Sequence, residues 1–209
     1  MNDIIFERNE KLAKEVIKGL ESRNMRGYYA ATKEEALKIA LDLIPEKSTI
    51  THGGSMSIEE IGLTKALKEG DYDYRIRSEF KDEHEAALFA FDADFFLGST
   101  NAITNDGILV NIDGNSNRVA AYAYGPKNIL LIVGMNKVAG DLDAATKRAR
   151  NTAATMNVQR FKLTTPCKTT GKCADCKSMD TICCQFLTTR FSRHKDRIHV
   201  IIVNDTLGL

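Results

Sequence analysis

The feature that most constrains this chain is a repeated alternation of short β-rich runs with helical patterns. After an amphipathic stretch at 5–20, whose apolar residues Leu12, Ala13, Val16, Ile17 and Leu20 recur at helical spacing, a strand is expected at 27–30. Thr32-Lys33-Glu34-Glu35 then forms a capping box that starts a helix, and Pro45 closes the unit near Leu43. The β-rich run 48–52 ends at Gly53-Gly54-Ser55, and Ser57-Ile58-Glu59-Glu60 reads as a second capping box. A strand at 72–76, a helix at 82–90 and a strand at 94–97 continue the series. A strand that feeds a helix can rejoin its neighbour only by a crossover. The expected fold class is therefore α/β, three-layer, with a mainly parallel sheet and helices on both faces.

The pattern changes after residue 100. Asn105-Asp106-Gly107 separates 102–104 from the alternating run 108–112, which predicts a hairpin. Asp113-Gly114-Asn115 turns the chain into a helix at 118–124, and the fully apolar run 129–133 predicts a central strand. An Ala-rich helix at 142–156 and a strand at 199–203 complete the expected core. With no internal repeat and no low-complexity linker, residues 1–209 are expected to form one domain carrying a Cys-rich insertion at 166–184.

Hydrophobic residues make up 43% and charged residues 27%, so the chain can bury a core and lacks the signature of disorder. Lys and Arg number 29 against 28 for Asp and Glu, a formal charge of +1, so nucleic acid is not an expected partner. The start of the sequence lacks a basic segment followed by an apolar stretch, and the longest aliphatic run, 129–133, is too short to span a bilayer. A cytoplasmic protein without a membrane span is expected. The odd number of cysteines, all in the last quarter, argues for reduced thiols over a disulfide framework.

Gly53-Gly54-Ser55 lies where a strand feeds a helix. Such a turn can hold an anion on free backbone amides, or use glycine for geometry alone. Between two apolar strands, Ser99, Thr100, Asn101, Thr104, Asp106, Asn111, Asp113, Asn117 and Arg118 make the densest patch of polar side chains. Arg118 can fork to a carboxylate or phosphate, and Asp106 or Asp113 can act as a general base if burial raises its pKa. The alternative is that Asp106, Asp113 and Asn115 are turn formers. Glu83-His84-Glu85 and His52 have plain readings beside catalytic ones: a solvated helix start and a hydrogen-bonded structural histidine. The basic residues of 190–197, and Lys147, Arg148 and Arg150, read as solvated surface charges.

Cys167, Cys173, Cys176, Cys183 and Cys184 follow the spacing C-x5-C-x2-C-x6-C-C. Cys-x2-Cys brings two thiolates within reach of one centre, and a third and fourth complete a zinc or iron–sulfur ligand set. A run of free thiols is the competing reading.

The text Ala93-Asp94-Phe95-Phe96-Leu97-Gly98-Ser99-Thr100-Asn101-Ala102-Ile103-Thr104-Asn105-Asp106-Gly107 resembles the LUD (lactate utilisation) family. The resemblance extends to Gly53-Gly54-Ser55-Met56-Ser57, to 111–120 and to Gly125-Pro126-Lys127-Asn128. It implies a fold related to ribose-phosphate isomerase and CoA transferases, and a place in oxidising lactate to pyruvate beside iron–sulfur oxidoreductase subunits. The expected ligand is small and anionic, bound by Gly53, Gly54, Ser55, Ser99, Thr100, Asn101, Thr104, Asn111, Asn117 and Arg118, with Asp106 as the catalytic candidate. The cofactor expectation is an iron–sulfur cluster or zinc on the cysteines, and a homo-oligomer is compatible with the pattern. Two alternatives stand beside this reading: an independent enzyme on a sugar phosphate or CoA ester, and a non-catalytic sensor or scaffold with structural zinc. The chain has neither a complete G-x-G-x-x-G fingerprint nor a Walker loop.

Overall fold

In the computed structural model, which describes residues 3–209, the expected alternation is realised. Helix α1 (Asp3–Ser22) buries Ala13, Val16 and Leu20, one stripe of its surface. Then come β1 (Arg26–Ala30), α2 (Lys33–Leu43), β2 (Thr49–His52), α3 (Met56–Glu60), α4 (Leu63–Glu69), β3 (Asp73–Tyr74), α5 (Glu83–Asp92) and β4 (Phe95–Gly98). The hairpin strands β5 (Ala102–Thr104) and β6 (Leu109–Asp113) lead to α6 (Asn117–Ala123), β7 (Asn128–Gly134) and β8 (Val138–Ala139). Helix α7 (Leu142–Arg148) continues through a π-helical stretch (Ala149–Ala154) into α8 (Thr155–Asn157). The chain ends with α9 (Pro166–Thr170), β9 (Gln185–Thr189) and β10 (Ile198–Val203).

Six strands pair in parallel in the order β1-β10-β7-β4-β2-β3. The period of two along β7 divides the interior. Ile129, Leu131 and Val133 pack in a core with Ala13, Val16 and Tyr122, whereas Leu130 and Ile132 pack opposite, with Ala36, Ala40, Ile58 and Leu67. Helices therefore cover both faces. Each such Leu or Ile side chain, removed from water, contributes about 1.5–3 kcal/mol before the entropy of ordering it.

Local chemistry sets the helix starts. Thr32 accepts from the Glu35 amide at 3.2 Å while Glu35 accepts from the Ala31 amide at 2.8 Å, and Asp82 and Asp141 each accept an amide at the starts of α5 and α7. The second expected capping box does not form: α3 starts at Met56, and its cap residue Ser55 makes no side-chain bond there. Ser57 is drawn into a buried contact described below. Strand β3 is shorter than the expected 72–76.

The hairpin belongs to a second sheet of order β8-β5-β6-β9, in which β6 pairs antiparallel with both β5 and β9. Strand β9 was not expected from the pattern, and the cysteine segment is the connection that reaches it. Gly19, near the end of α1, is required by proximity: a Cβ there would stand 2.3 Å from the carbonyl carbon of Asp106 in the hairpin turn.

Candidate functional site

The loops that leave the carboxyl ends of β2, β4, β7 and β10 converge, as ligand sites of open parallel sheets do. They enclose a cavity of about 90 Å³, lined by Gly54, Ser55, Ser57, Ser99, Thr100, Asn101, Arg118 and Lys137, and bounded by Ala153, Asn157, Arg160, Gly208 and Leu209. Thus the glycine turn and the start of the 99–118 segment share one cavity, with Ser55 and Asn101 both on its wall.

Lys137, in the turn after β7, stands at its floor and is only 3% exposed. Its ammonium donates to Ser99 Oγ at 2.8 Å and to Ser57 Oγ at 3.0 Å. Ser99 donates its own proton to the Ile132 carbonyl at 2.7 Å, so its hydroxyl is oriented to accept from the lysine. Burial pulls Lys137 down to about 7, the charges of Arg148 and Arg118 act in the same direction, and Glu60 opposes them. Near neutral pH this residue therefore divides between ammonium and amine. Beside it the Ser55 hydroxyl is buried without a partner, a polar group that ordinarily finds one.

Arg118 holds the wall together. Its guanidinium donates to Asn111 Oδ1 (2.8 Å), Asn101 Oδ1 (3.2 Å) and the Ile112 carbonyl (2.6 Å), lies 3.4 Å from Asp113 Oδ2, and stacks 5.4 Å from the Tyr122 ring centre. Asn101 Oδ1 also accepts from the Ile112 amide at 2.8 Å, and Thr100 Oγ1 lies 2.9 and 3.0 Å from the Ala102 and Val110 carbonyls. These groups fix the loop after β4 to β6.

A scan against family models matches the LUD domain over residues 13–203. The chain belongs to the LUD domain family. That family is associated with lactate utilisation. A solved structure of a DUF162 family protein from Deinococcus radiodurans is similar over 97% of this chain and 98% of that one, at 13% identity and a TM-score of 0.47. No curated protein matches the chain.

Not every expected site residue of this LUD domain reaches the cavity. Thr104 and Asp106 sit in the hairpin turn against α1, where Thr104 Oγ1 accepts from the Ile108 amide at 2.8 Å and Asp106 pairs with Arg23. A general base needs a raised pKa, yet hydrogen bonding from Thr104, followed by the bond and charge of Arg23, holds the Asp106 carboxyl below its usual range. Gly53 and Asn117 line a neighbouring cavity of about 280 Å³ with His52 and His84. His52 Nδ1 lies 2.7 Å from the Gly53 carbonyl, and its ring stacks on Tyr74.

Two basic residues that read as surface charges are partly buried fasteners. Arg148 donates through Nε to the Asn136 carbonyl at 2.8 Å, next to Lys137, and through Nη1 to that of Asn101. Arg197 donates to the carbonyls of Ala121, Tyr122 and Pro126 at 2.9–3.0 Å, satisfying the carboxyl end of α6. Lys137 itself escaped sequence reasoning. The available signal was a lone cation just past the end of the most apolar strand, where a parallel sheet places its ligand.

All five cysteines of the LUD domain are free. Cys167, Cys173, Cys176 and Cys183 line a third cavity, whereas Cys184 is exposed outside it. Among the described residues, no group of three or more His, Cys, Asp or Glu forms a metal-ion site as it stands.

Proposed function

We propose that this LUD domain binds the carboxylate of a small organic acid of the lactate type in the Lys137 cavity, as a component of its oxidation to the keto acid, working beside iron–sulfur partner subunits. The observation that carries the reading is Lys137: a buried cation, held among the described residues by two hydroxyls, on the wall of a strand-end cavity. The Ser55 hydroxyl supplies a second donor with no internal claim on it. Helix α3 has five residues, so its dipole adds little, and the charge for the anion comes from Lys137. Arg118 positions the wall. The cavity of about 90 Å³ is small beside the roughly 300–1,000 Å³ of pockets for drug-sized ligands, which favours a ligand of few heavy atoms over a bulky one.

Calorimetric titration with lactate, pyruvate, a sugar phosphate and a CoA ester tests this. The short acids are expected to bind, and their affinity to fall as pH rises through about 7, approaching tenfold per unit as the ammonium is lost. Binding of the phosphate or CoA ester alone, or an affinity indifferent to pH between about 6 and 8, would overturn the reading.

A further inference from the structure

The thiols of Cys167, Cys173, Cys176 and Cys183 come from a loop-rich stretch, yet they line a single half-enclosed cavity. The chain fastens them there by separate means. Thr165 Oγ1 lies 3.4 Å from Cys167 Sγ, Thr181 Oγ1 lies 4.0 Å from Cys176 Sγ, and Cys183 packs against the core of the second sheet. The guanidinium of Arg150 stands 3.9 Å from Cys173 Sγ. The adjacent Cys184 is left outside: its amide bonds to the Asp113 carbonyl at the start of β9, and its side chain is exposed.

We infer that these four cysteines, without Cys184, hold an iron–sulfur cluster. Each thiol loses its proton to solvent as it bonds one iron atom, with no change of oxidation state. A single zinc ion would draw four sulfurs to about 2.3 Å from one point. A cluster is larger and is ligated by cysteines that surround it, which suits thiols distributed around a cavity. Four thiolates facing one space repel one another. Iron removes that penalty, and Arg150, which also pairs with Asp175 at 2.5 Å, places a positive charge beside Cys173. Ala154, Ile182 and Phe186 supply an apolar boundary.

The placement links the two sites. Ala153 borders the Lys137 cavity and Ala154 the cysteine cavity, so adjacent residues of the π-helical stretch face different chambers. Such stretches are frequent at functional sites. The cluster would lie about one helix diameter, ~10 Å, from the acid cavity. Its binding does not depend on what that cavity holds.

The full chain, purified without oxygen or reconstituted with ferric and ferrous iron, sulfide and a dithiol, is assayed for iron, acid-labile sulfide and zinc. Iron and sulfide in equal amounts are expected, with a visible charge-transfer absorption that Cys184→Ser retains and Cys183→Ser loses. Circular dichroism checks folding, and if Cys183→Ser unfolds, Cys173→Ser replaces it. Zinc without sulfide, no iron after reconstitution, or equal iron in Cys183→Ser and wild type would each overturn the inference.

Discussion

The Lys137 cavity and the cysteine cavity stand on either side of one helix and are built by opposite means. The first takes most of its groups from the ends of parallel strands whose residues pack in two cores, and its polar atoms are largely bonded within the protein. The second takes its groups from the connection between α8 and β9, held by a few side-chain contacts. Strand-end geometry yields a preorganised binder. A thiol-lined loop gains its order from what it binds, because metal binding and folding are thermodynamically coupled.

Lys137→Met is the sharpest test of the first region. At about pH 6 it should weaken short-acid binding at least tenfold while leaving iron content unchanged, because the charge is removed and the volume kept. Its effect on stability runs the other way. The folded pKa lies below the unfolded value of 10.5, so between about 7 and 10.5 the unfolded chain binds a proton that the folded one does not. Wild-type stability therefore rises with pH across that window, by up to about 1.4 kcal/mol per unit, and below it the folded chain bears the full burial of an ammonium. The variant should lack this slope and should gain on wild type as pH falls, as urea unfolding at several pH values would show. A parallel pH dependence in both proteins would mean that Lys137 is not the titrating group.

Arg118→Ala removes the fastener of the same cavity. It strands the acceptors of Asn111 and Asp113, and a loss of about 1–3 kcal/mol in folding free energy is expected, with weaker acid binding as a consequence. Unchanged stability with abolished binding would instead make Arg118 a direct ligand contact. The smallest effect is expected for Asp106→Asn, whose side chain is 61% exposed: under about 1 kcal/mol, with acid affinity and iron content intact. A large loss of acid binding in that variant would restore Asp106 to the site.

The fold was legible wherever a local signal coincided with burial. The cap at Thr32 and the unbroken apolar run of β7 appear in the structure as the sequence implies. Ser57 shows where local reading ends, since its capping pattern yields to a buried lysine 80 positions away. Strand β9 depends on a non-local antiparallel partner, β6, and its own residues are half exposed, so they carry little periodic signal. Of the candidate site, Gly54, Ser55, Ser99, Thr100, Asn101 and Arg118 were found as strand-end polar residues. Gly53, Thr104, Asp106 and Asn117 share that description and face elsewhere.

By itself, the sequence determines the α/β class, the mainly parallel sheet implied by strand–helix alternation and the central place of β7, because these follow from hydrophobic period and capping chemistry within short windows. It also brings the cysteines close along the chain. Only the tertiary structure decides that Lys137 lies beneath Ser57 and Ser99, that Arg118 spends its donors on the wall, and that Cys183 faces the cavity while Cys184 does not. Those outcomes depend on which loops meet at the ends of strands far apart in the chain. Burial, through the desolvation of a charge, then turns an ordinary lysine into one that titrates near neutral pH.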